Sequence, residues 1–467
     1  MPLRVGQAMA GRLTYSGHAK AVLGLGLPLV GSHVAQFLIT LTDGIMLGRY
    51  SVEALAANVL GGTLFFVFFI VGSGFAWAVM PMVASAEARG ESTEVRRITR
   101  MGAWASILFA VIVIPVMMVS EPIFLLLGQE AEVSADAAVY LSIVGLGVLP
   151  ALLVMVLKSY LAALERTQVV FWVTLTAVGL NVLVNYALIY GNWGFPELGL
   201  RGAAIASVIV NVASVLSLMV YVALVTPEHT LFTRFWRPDW EALLRVFRLG
   251  WPIGLTSLAE SGLFAASTVM MGWLGKVPLA AHGIALQVVS LAFMVHIGLS
   301  NAATVRAGRA HGRQDRRDLT DGAKVVLFLS GAFAAITVVA FLLIPEWMIT
   351  LFLNPDEPER GAVIAVGVGL LAAAALFQLM DAAQVMALGL LRGVQDTRVP
   401  MMIAAVSYWL VGIPVSYVLG FTFSLDGVGI WVGLAVGLAC AAVLLLVRFW
   451  SSAVRAVGEV AEASSSA

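Results

Sequence analysis

The chain has 467 residues, of which 60% are hydrophobic and 12% charged, whereas soluble domains average roughly 45–50% and 25%. This composition is typical of a polytopic membrane protein, and the balance of 27 basic against 27 acidic residues gives no reason to expect a nucleic acid as a partner. The single cysteine, Cys440, excludes a disulfide framework and a thiolate metal site.

Twelve apolar stretches are long enough to cross a bilayer, which takes about 20 mostly apolar residues. In chain order the predicted spans are Val22–Gly48, Ala54–Ala78, Gly102–Val119, Ala137–Leu157, Val169–Tyr190, Gly202–Val225, Leu244–Gly272, Leu279–Ala303, Val325–Ile344, Val363–Leu390, Val399–Leu419 and Val428–Val447. We therefore predict an all-α integral membrane protein. Its parts are an N-terminal lead (1–21), a first lobe (22–225), a linker (226–243), a second lobe (244–450) and a disordered tail (451–467).

The two halves share sequence at a near-constant offset. Gly26-Leu27-Pro28 matches Gly250-Trp251-Pro252, and at the same offset of 224 residues Leu55-Ala56-Ala57 matches Leu279-Ala280-Ala281. Six spans repeated in one orientation predict two pseudo-symmetric lobes related by an axis along the membrane normal, with a shared cavity between them.

The basic residues are distributed unevenly between the two sides of the membrane. If both termini lie on one side, 23 of the 27 Lys and Arg residues fall on that side. The four on the other side are Arg49, Arg201, Lys276 and Arg360. Because cytoplasmic loops carry the excess of Lys and Arg, this asymmetry predicts cytoplasmic termini.

Three carboxylates stand alone inside the apolar stretches: Asp43, Glu260 and Asp381. A charged side chain at membrane depth costs at least roughly 2.5–3.5 kcal/mol, so such residues are rare and usually bind protons or cations on a transport path. The three acids therefore favour a coupled transporter over a scaffold or a receptor.

Asp43 is near the outer end of span 1, and two asparagines, Asn181 and Asn185, share one face of span 5. A carboxylate and amide oxygens are hard ligands that suit a small cation. The alternative is that the asparagines only hold helices together and Asp43 caps an interface.

Glu260 is near the middle of span 7, and Asp381 in span 10 has Gln378 and Gln384 three residues to either side on its face. We place no Lys or Arg deep in the spans as a partner for either acid. Two carboxylates facing one cavity can exchange protons or hold a monovalent cation, so we predict that Glu260 and Asp381 form a proton or Na⁺ site. The alternative is a pair of structural acids bonded to polar neighbours.

Several other side chains are candidates for the cavity wall. Phe264, Met270, Met271 and Met294 could form an adaptable apolar surface, with Gln287, Ser290, Gln378 and Gln384 as polar members. We interpret His282 and His296 in span 8 as interface residues. The chain contains no phosphate-binding loop and no Cys or His cluster, so we expect no ATP, no resident cofactor and no enzymatic activity.

These residues resemble a known family, the multidrug and toxic compound extrusion (MATE) transporters, in the NorM-like branch. The resemblance extends from Ala21 to Trp450 and is carried by Leu27-Pro28, Thr42-Asp43-Gly44, Leu279-Ala280-Ala281-His282 and, most specifically, by residues 377–384 (FQLMDAAQ) followed by 389–397 (GLLRGVQDT). One departure is that Val363 to Ala375 contains no acid, whereas some NorM-like members carry one there.

The resemblance implies a V-shaped, two-lobe antiporter that exports organic cations, drugs and dyes, against inward Na⁺ or H⁺. By the same resemblance, Asp43 with Asn181 and Asn185 is the coupling site of the first lobe, and Glu260 with Asp381 is the cation site of the second. We expect a monomer in contact with lipid in a bacterial cytoplasmic membrane.

Two other interpretations are weaker. A lipid-linked substrate flippase of the same broader superfamily needs a basic cavity to bind phosphates, and we find no base at membrane depth. A major facilitator needs a long central loop and an Arg/Asp/Gly-rich loop after span 2, which Ala84 to Arg100 lacks. Nothing in the sequence supports a channel or an enzyme.

Overall fold

Twelve membrane-length helices account for most of the residues that this computed structural model describes, 13–355 and 358–457. They are α1 Tyr15–Tyr50, α2 Val52–Ala88, α3 Ser92–Met118, α4 Ala131–Ala163, α5 Thr167–Tyr190, α6 Leu200–Val225, α7 Trp240–Leu274, α8 Lys276–Gly312, α9 Arg316–Leu343, α10 Arg360–Gly393, α11 Arg398–Thr422 and α12 Asp426–Val457. The predicted number of spans and the all-α fold class are confirmed.

The helices run past the apolar stretches that predict them, because polar caps allow extra turns outside the bilayer. The Thr14 hydroxyl accepts from the backbone N–H of Gly17, so α1 begins seven residues before the predicted span. Asp239 accepts from the N–H of Ala242 and starts α7 inside the predicted linker. At the other end of the chain α12 continues to Val457, so the prediction that disorder begins at residue 451 is wrong. Residues 1–12 and 458–467 lie outside the described part of the chain.

The predicted repeat is visible in the helix boundaries. The bounds of α2, Val52–Ala88, and of α8, Lys276–Gly312, differ by the same offset of 224 residues at both ends. A short helix follows the third helix of each half, Glu121–Leu126 in the first and Pro345–Thr350 in the second. The chain thus forms two pseudo-symmetric lobes, α1–α6 and α7–α12, in a V-shaped arrangement.

The lobes meet at the end of the bundle where α1 begins and where α6 connects to α7, here called the terminal side. Gly74 on α2 faces Gly250 and Gly254 on α7 so closely that a Cβ on Gly74 would lie 2.8 Å from the Cα of Gly254. Gly298 on α8 meets the backbone of Val30 on α1 in the same way. These close contacts lie in the terminal half of the helices, so the cleft between the lobes opens on the opposite side.

Ion pairs join the lobes at the terminal surface. The Arg97 guanidinium at the start of α3 lies 2.5 Å from Asp239, which caps α7, and Arg245 on α7 lies 2.5 Å from Glu94 on α3. Arg309 on α8 lies 2.9 Å from Glu165, between α4 and α5. We call these three pairs the terminal-side ion pairs.

Candidate functional site

The polar group of the first lobe joins α1 to α5. The side-chain amides of Asn181 and Asn185 lie 3.0 and 2.6 Å from Oδ1 of Asp43. A bond of 2.9 Å between the hydroxyls of Ser32 and Thr174 holds the same two helices together farther toward the terminal side. The sequence pattern therefore identified three side chains that do meet.

The chemistry of this group differs from the expectation that amide oxygens would surround a cation. The Nδ2 atoms of Asn181 and Asn185 donate to Asp43, and Asn185 Nδ2 also lies 3.2 Å from Asn181 Oδ1. Two donors on one carboxylate oxygen favour the ionised acid. The arrangement supplies Asp43 with hydrogen bonds rather than supplying a cation with ligands.

The acids of the second lobe lie on facing helices, Glu260 on α7 and Asp381 on α10, within electrostatic range of each other. Asp381 is 1% exposed, and neither of its carboxylate oxygens has a hydrogen-bond donor among the described residues. Glu260 Oε1 and Gln384 Oε1 are likewise buried without a donor. Four oxygens of three side chains in this lobe are thus buried without a hydrogen-bond donor from the described residues.

These oxygens are of the type that binds a hard monovalent cation or a proton. Buried acceptors without partners are costly, since each loses its hydration and receives nothing in exchange. A cation or a proton at Glu260 and Asp381 would remove that cost. The donor set of the second lobe therefore fits Na⁺ or H⁺, whereas in the first lobe the two amide N–H donors already satisfy one oxygen of Asp43.

Comparison with known proteins identifies the fold and the family. The MatE family profile matches residues 28–187 and 252–418, one match in each lobe. This chain belongs to the MATE family.

Curated relatives place it in the NorM-like branch. A protein of Agrobacterium fabrum named "Probable multidrug resistance protein NorM" is 43% identical over 442 residues, which is 94% of this chain and 95% of that protein. A protein of the same name from Rhizobium meliloti is 43% identical over 435 residues, 93% of each chain.

Solved MATE structures share the fold at low sequence identity. A crystal structure of MATE in complex with MaL6 superposes with a TM-score of 0.84 at 20% identity, covering 94% of this chain and 97% of that one. The eukaryotic MATE transporter AtDTX14 gives 0.81 at 18% identity, with 95% and 99% covered. A MOP superfamily transporter from Pyrococcus furiosus, described as having a binding pocket of reverse polarity, gives 0.84 at 19%, with 94% and 97% covered.

Two bases that the sequence analysis placed outside the predicted spans lie inside membrane-length helices of this MATE chain. Lys158 is inside α4, and Arg392 is inside α10, within electrostatic range of Glu260 and 5.7 Å from the ring centroid of Trp77. The predicted spans ended at Leu157 and Leu390, whereas both helices continue beyond these residues.

Half of the predicted cavity wall is packed inside the second MATE lobe. Met270, Met271, Gln378 and Gln384 are 4%, 0%, 0% and 0% exposed, so their assignment to an open cavity surface is wrong. Met271, for example, fills the space beside Gly427, where a Cβ would lie 3.0 Å from its methyl group. Phe264, Gln287, Ser290 and Met294 keep accessible surface, and their role in the cavity stays a prediction.

The two histidines of α8 are interface residues, as interpreted from sequence. His282 lies 3.0 Å from the indole N–H of Trp431 and 3.1 Å from the hydroxyl of Thr268. His296 joins three helices of the MATE lobe, because its ring nitrogens lie 2.9 Å from Ser330 and 2.8 Å from Gln378.

Sequence reasoning missed Tyr408 on α11. Its ring is fully buried, its hydroxyl lies 2.5 Å from Gln384 Nε2, and it is within electrostatic range of Glu260, Asp381 and Arg392. The side chain of Gln384 therefore presents its nitrogen to Tyr408 and leaves its oxygen free. Nothing in the apolar sequence around this tyrosine indicates that it lies near the acids. Only the packing of α11 on α10 brings it to the acids of this MATE site.

Proposed function

We propose that the chain is a secondary-active multidrug efflux antiporter that exports lipophilic organic cations in exchange for Na⁺ or H⁺. The observation that carries the proposal is the buried pair Glu260 and Asp381, whose oxygens lack donors among the described residues. The names of the curated relatives support drug export.

The drug and the coupling cation compete for the same negatively charged carboxylates, and this competition couples their movements. A carboxylate pair without donors binds a coupling cation from the side where that cation is concentrated. Bound charge changes the relative stability of two helix packings, and transport results when drug and cation favour different packings.

We place the coupling cation in the second lobe. The acid of the first lobe already has two N–H donors, whereas Asp381 has none in the described chain. Asp43 then acts as a charge whose neutralisation loosens the α1–α5 contact and reshapes the cleft.

Three acids in apolar surroundings favour large, weakly hydrated cations. Removing such cations from water costs little, and the attraction between cation and carboxylate is stronger at low dielectric. Ethidium, tetraphenylphosphonium and rhodamine-type dyes are therefore the proposed substrates, and zwitterionic fluoroquinolones fit as well.

We further propose a monomer in a bacterial cytoplasmic membrane, surrounded by lipid, with both termini in the cytoplasm. The distribution of 23 of 27 basic residues supports this orientation. The terminal side is then the cytoplasmic side, and the cleft opens away from the cytoplasm.

The lipid-linked substrate flippase is the second candidate, because Lys158 and Arg392 lie inside helices that the sequence predicted to be free of bases. Arg392 is balanced by Glu260, however, which leaves one base, Lys158, against two acids, Asp43 and Asp381. That ratio favours cationic over phosphorylated substrates.

The deciding experiment is transport in everted membrane vesicles from a pump-deficient host. Ethidium movement is measured under an imposed Na⁺ gradient and, separately, under an imposed H⁺ gradient. Glu260→Gln and Asp381→Asn should abolish coupled movement while the protein remains in the membrane, because an amide cannot exchange a proton or cation for the drug.

Glu130→Gln and Asp136→Asn are the matched controls, since both acids are exposed on the side opposite the termini. They should transport at the wild-type rate. Wild-type coupling in both Glu260→Gln and Asp381→Asn would reject the assignment, and protection of the host against anionic compounds only would favour the flippase.

A further inference from the structure

One base inside a membrane-length helix has no role in the coupling described above. Lys158 lies on α4, five residues before that helix ends at Ala163. Its side chain is half-buried, and it has no hydrogen-bond or ion-pair partner in the described part of the chain. No carboxylate of residues 13–355 and 358–457 lies within electrostatic range of it.

The position of Lys158 is at the floor of the cleft. It is within electrostatic range of His33 on α1, and His33 Nε2 lies 3.0 Å from the side-chain nitrogen of Asn301 on α8, across the boundary between the lobes. Close contacts between α1 and α8 occur on the terminal side of this bond, at Gly26, and level with it, where Val30 meets Gly298. One turn farther along α1, Gln36 is exposed. The bond therefore marks the depth at which the lobes separate.

The donors at this floor point to an anionic ligand. An ammonium has three N–H donors and no acceptor. Because the Asn301 amide donates to His33 Nε2, the neutral His33 ring carries its proton on Nδ1 as a further donor. A buried charge without a partner is strongly unfavourable, and an anionic group of a bound molecule would supply the partner.

We propose that Lys158, assisted by His33, binds the carboxylate of zwitterionic substrates at the floor of the cleft. The inference rests on the proposed export function and assigns a site for one subclass of its substrates. Asp43 lies ten residues beyond His33 on α1, roughly 15 Å along the helix axis, so the cationic end of such a substrate meets an acid while its carboxylate meets the lysine. An arrangement with acids alone would repel the carboxylate.

Two dyes that differ at a single group provide the test. Rhodamine 110 carries a free carboxylate, and rhodamine 123 is its methyl ester. Efflux of each is measured from cells of a pump-deficient host that express wild type, Lys158→Met, Lys158→Gln or Lys158→Arg. The control is Lys324→Met on α9, whose side chain is 55% exposed at the terminal side.

We expect Lys158→Met and Lys158→Gln to lower the rhodamine 110 rate at least about tenfold relative to the rhodamine 123 rate, which is the loss expected for a hydrogen bond to a charged group. Lys158→Arg should keep most of the wild-type ratio, and Lys324→Met should keep all of it. Using two neutral variants ensures a result if one of them fails to accumulate, and the ratio of the two dyes cancels differences in protein level.

Two failures are distinguishable. A wild type that exports neither dye contradicts the export function itself. A wild type that exports rhodamine 123, with an unchanged dye ratio in Lys158→Met and Lys158→Gln, contradicts the carboxylate site alone.

Discussion

The side-chain nitrogen of Asn185 lies 2.6 Å from the carboxylate of Asp43, which makes the α1–α5 contact of the first lobe depend on a charge. The Asp43→Asn variant removes that charge and should remove the pH dependence of drug affinity that Asp43 contributes. Equilibrium binding of ethidium to purified protein over a pH series measures it, with Asp136→Asn as the control. A pH profile identical to that of wild type would contradict the role given to Asp43.

Asn185 itself should matter more for stability than for binding. The Asn185→Ala variant leaves the buried Asp43 carboxylate with one of its two amide donors, at a cost of about 1–3 kcal/mol. The midpoint of thermal aggregation of purified protein should fall, while the exposed Thr176→Ala on the same helix should leave it unchanged. An unaltered midpoint in Asn185→Ala would mean that the bond does not stabilise the lobe.

Closure of the terminal side should depend on the close approach of α2 and α7. A methyl group on Gly74 would overlap the backbone of Gly254, whereas a methyl group on Gly62 of the same helix would meet no atom within 4 Å. In a Cys440→Ser background, a cysteine at the 1% exposed Ser85 reports opening through its rate of thiol modification. Gly74→Ala should accelerate modification, and Gly62→Ala should not. Equal rates in the two variants would exclude a role for this contact in closure.

The terminal-side ion pairs should contribute modestly to the same closure. Exposed pairs are worth about 0.2–1 kcal/mol each, so Arg97→Ala should raise the modification rate at the position 85 cysteine by a few-fold at most. Hydrogen bonding from Arg97 holds the pKa of Asp239 below its ordinary value. The pair is therefore present above that ordinary value and is lost only as the pH falls through the still lower value in the folded protein.

Changes around neutral pH should consequently leave this part of the closure unaltered. The modification rate of the position 85 cysteine, compared between weakly acidic and weakly alkaline buffer in wild type and Arg97→Ala, tests the point. A pH dependence that disappears in Arg97→Ala would show that the Arg97–Asp239 pair titrates near neutrality, against the expectation.

Arg392 should weaken cation binding at the second-lobe acids, because its positive charge lies within electrostatic range of Glu260. The Arg392→Gln variant should bind Na⁺ about five- to tenfold more tightly, for about 1 kcal/mol of repulsion removed at an effective dielectric constant near 20. Na⁺-dependent thermal stabilisation of purified protein gives the midpoint concentration. The exposed Arg398→Gln is the control. If the Na⁺ midpoint concentration of Arg392→Gln equals or exceeds that of wild type, Arg392 does not weaken Na⁺ binding.

Much of the architecture could be predicted because the bilayer constrains it. A span needs a long apolar run, so the twelve runs gave the number of helices, and the offset of 224 residues gave the two lobes. The boundaries were less predictable, since caps such as Thr14 and Asp239 extend helices into polar sequence. The same effect hid Lys158 and Arg392, which lie just beyond their apolar runs but inside their helices.

The sequence by itself determined which acids are exceptional, because an isolated Asp or Glu in an apolar run is costly to place in a membrane whatever its neighbours are. It also determined that Asn181 and Asn185 share a face, because a helix has a fixed period. Only the tertiary structure decided that the asparagine nitrogens satisfy Asp43 while Asp381 has no donor among the described residues, and that Met271 and Gln378 are packed while Phe264 is accessible. Those outcomes depend on how neighbouring helices are rotated and on which side chains they bring together, and no one-dimensional pattern records that rotation.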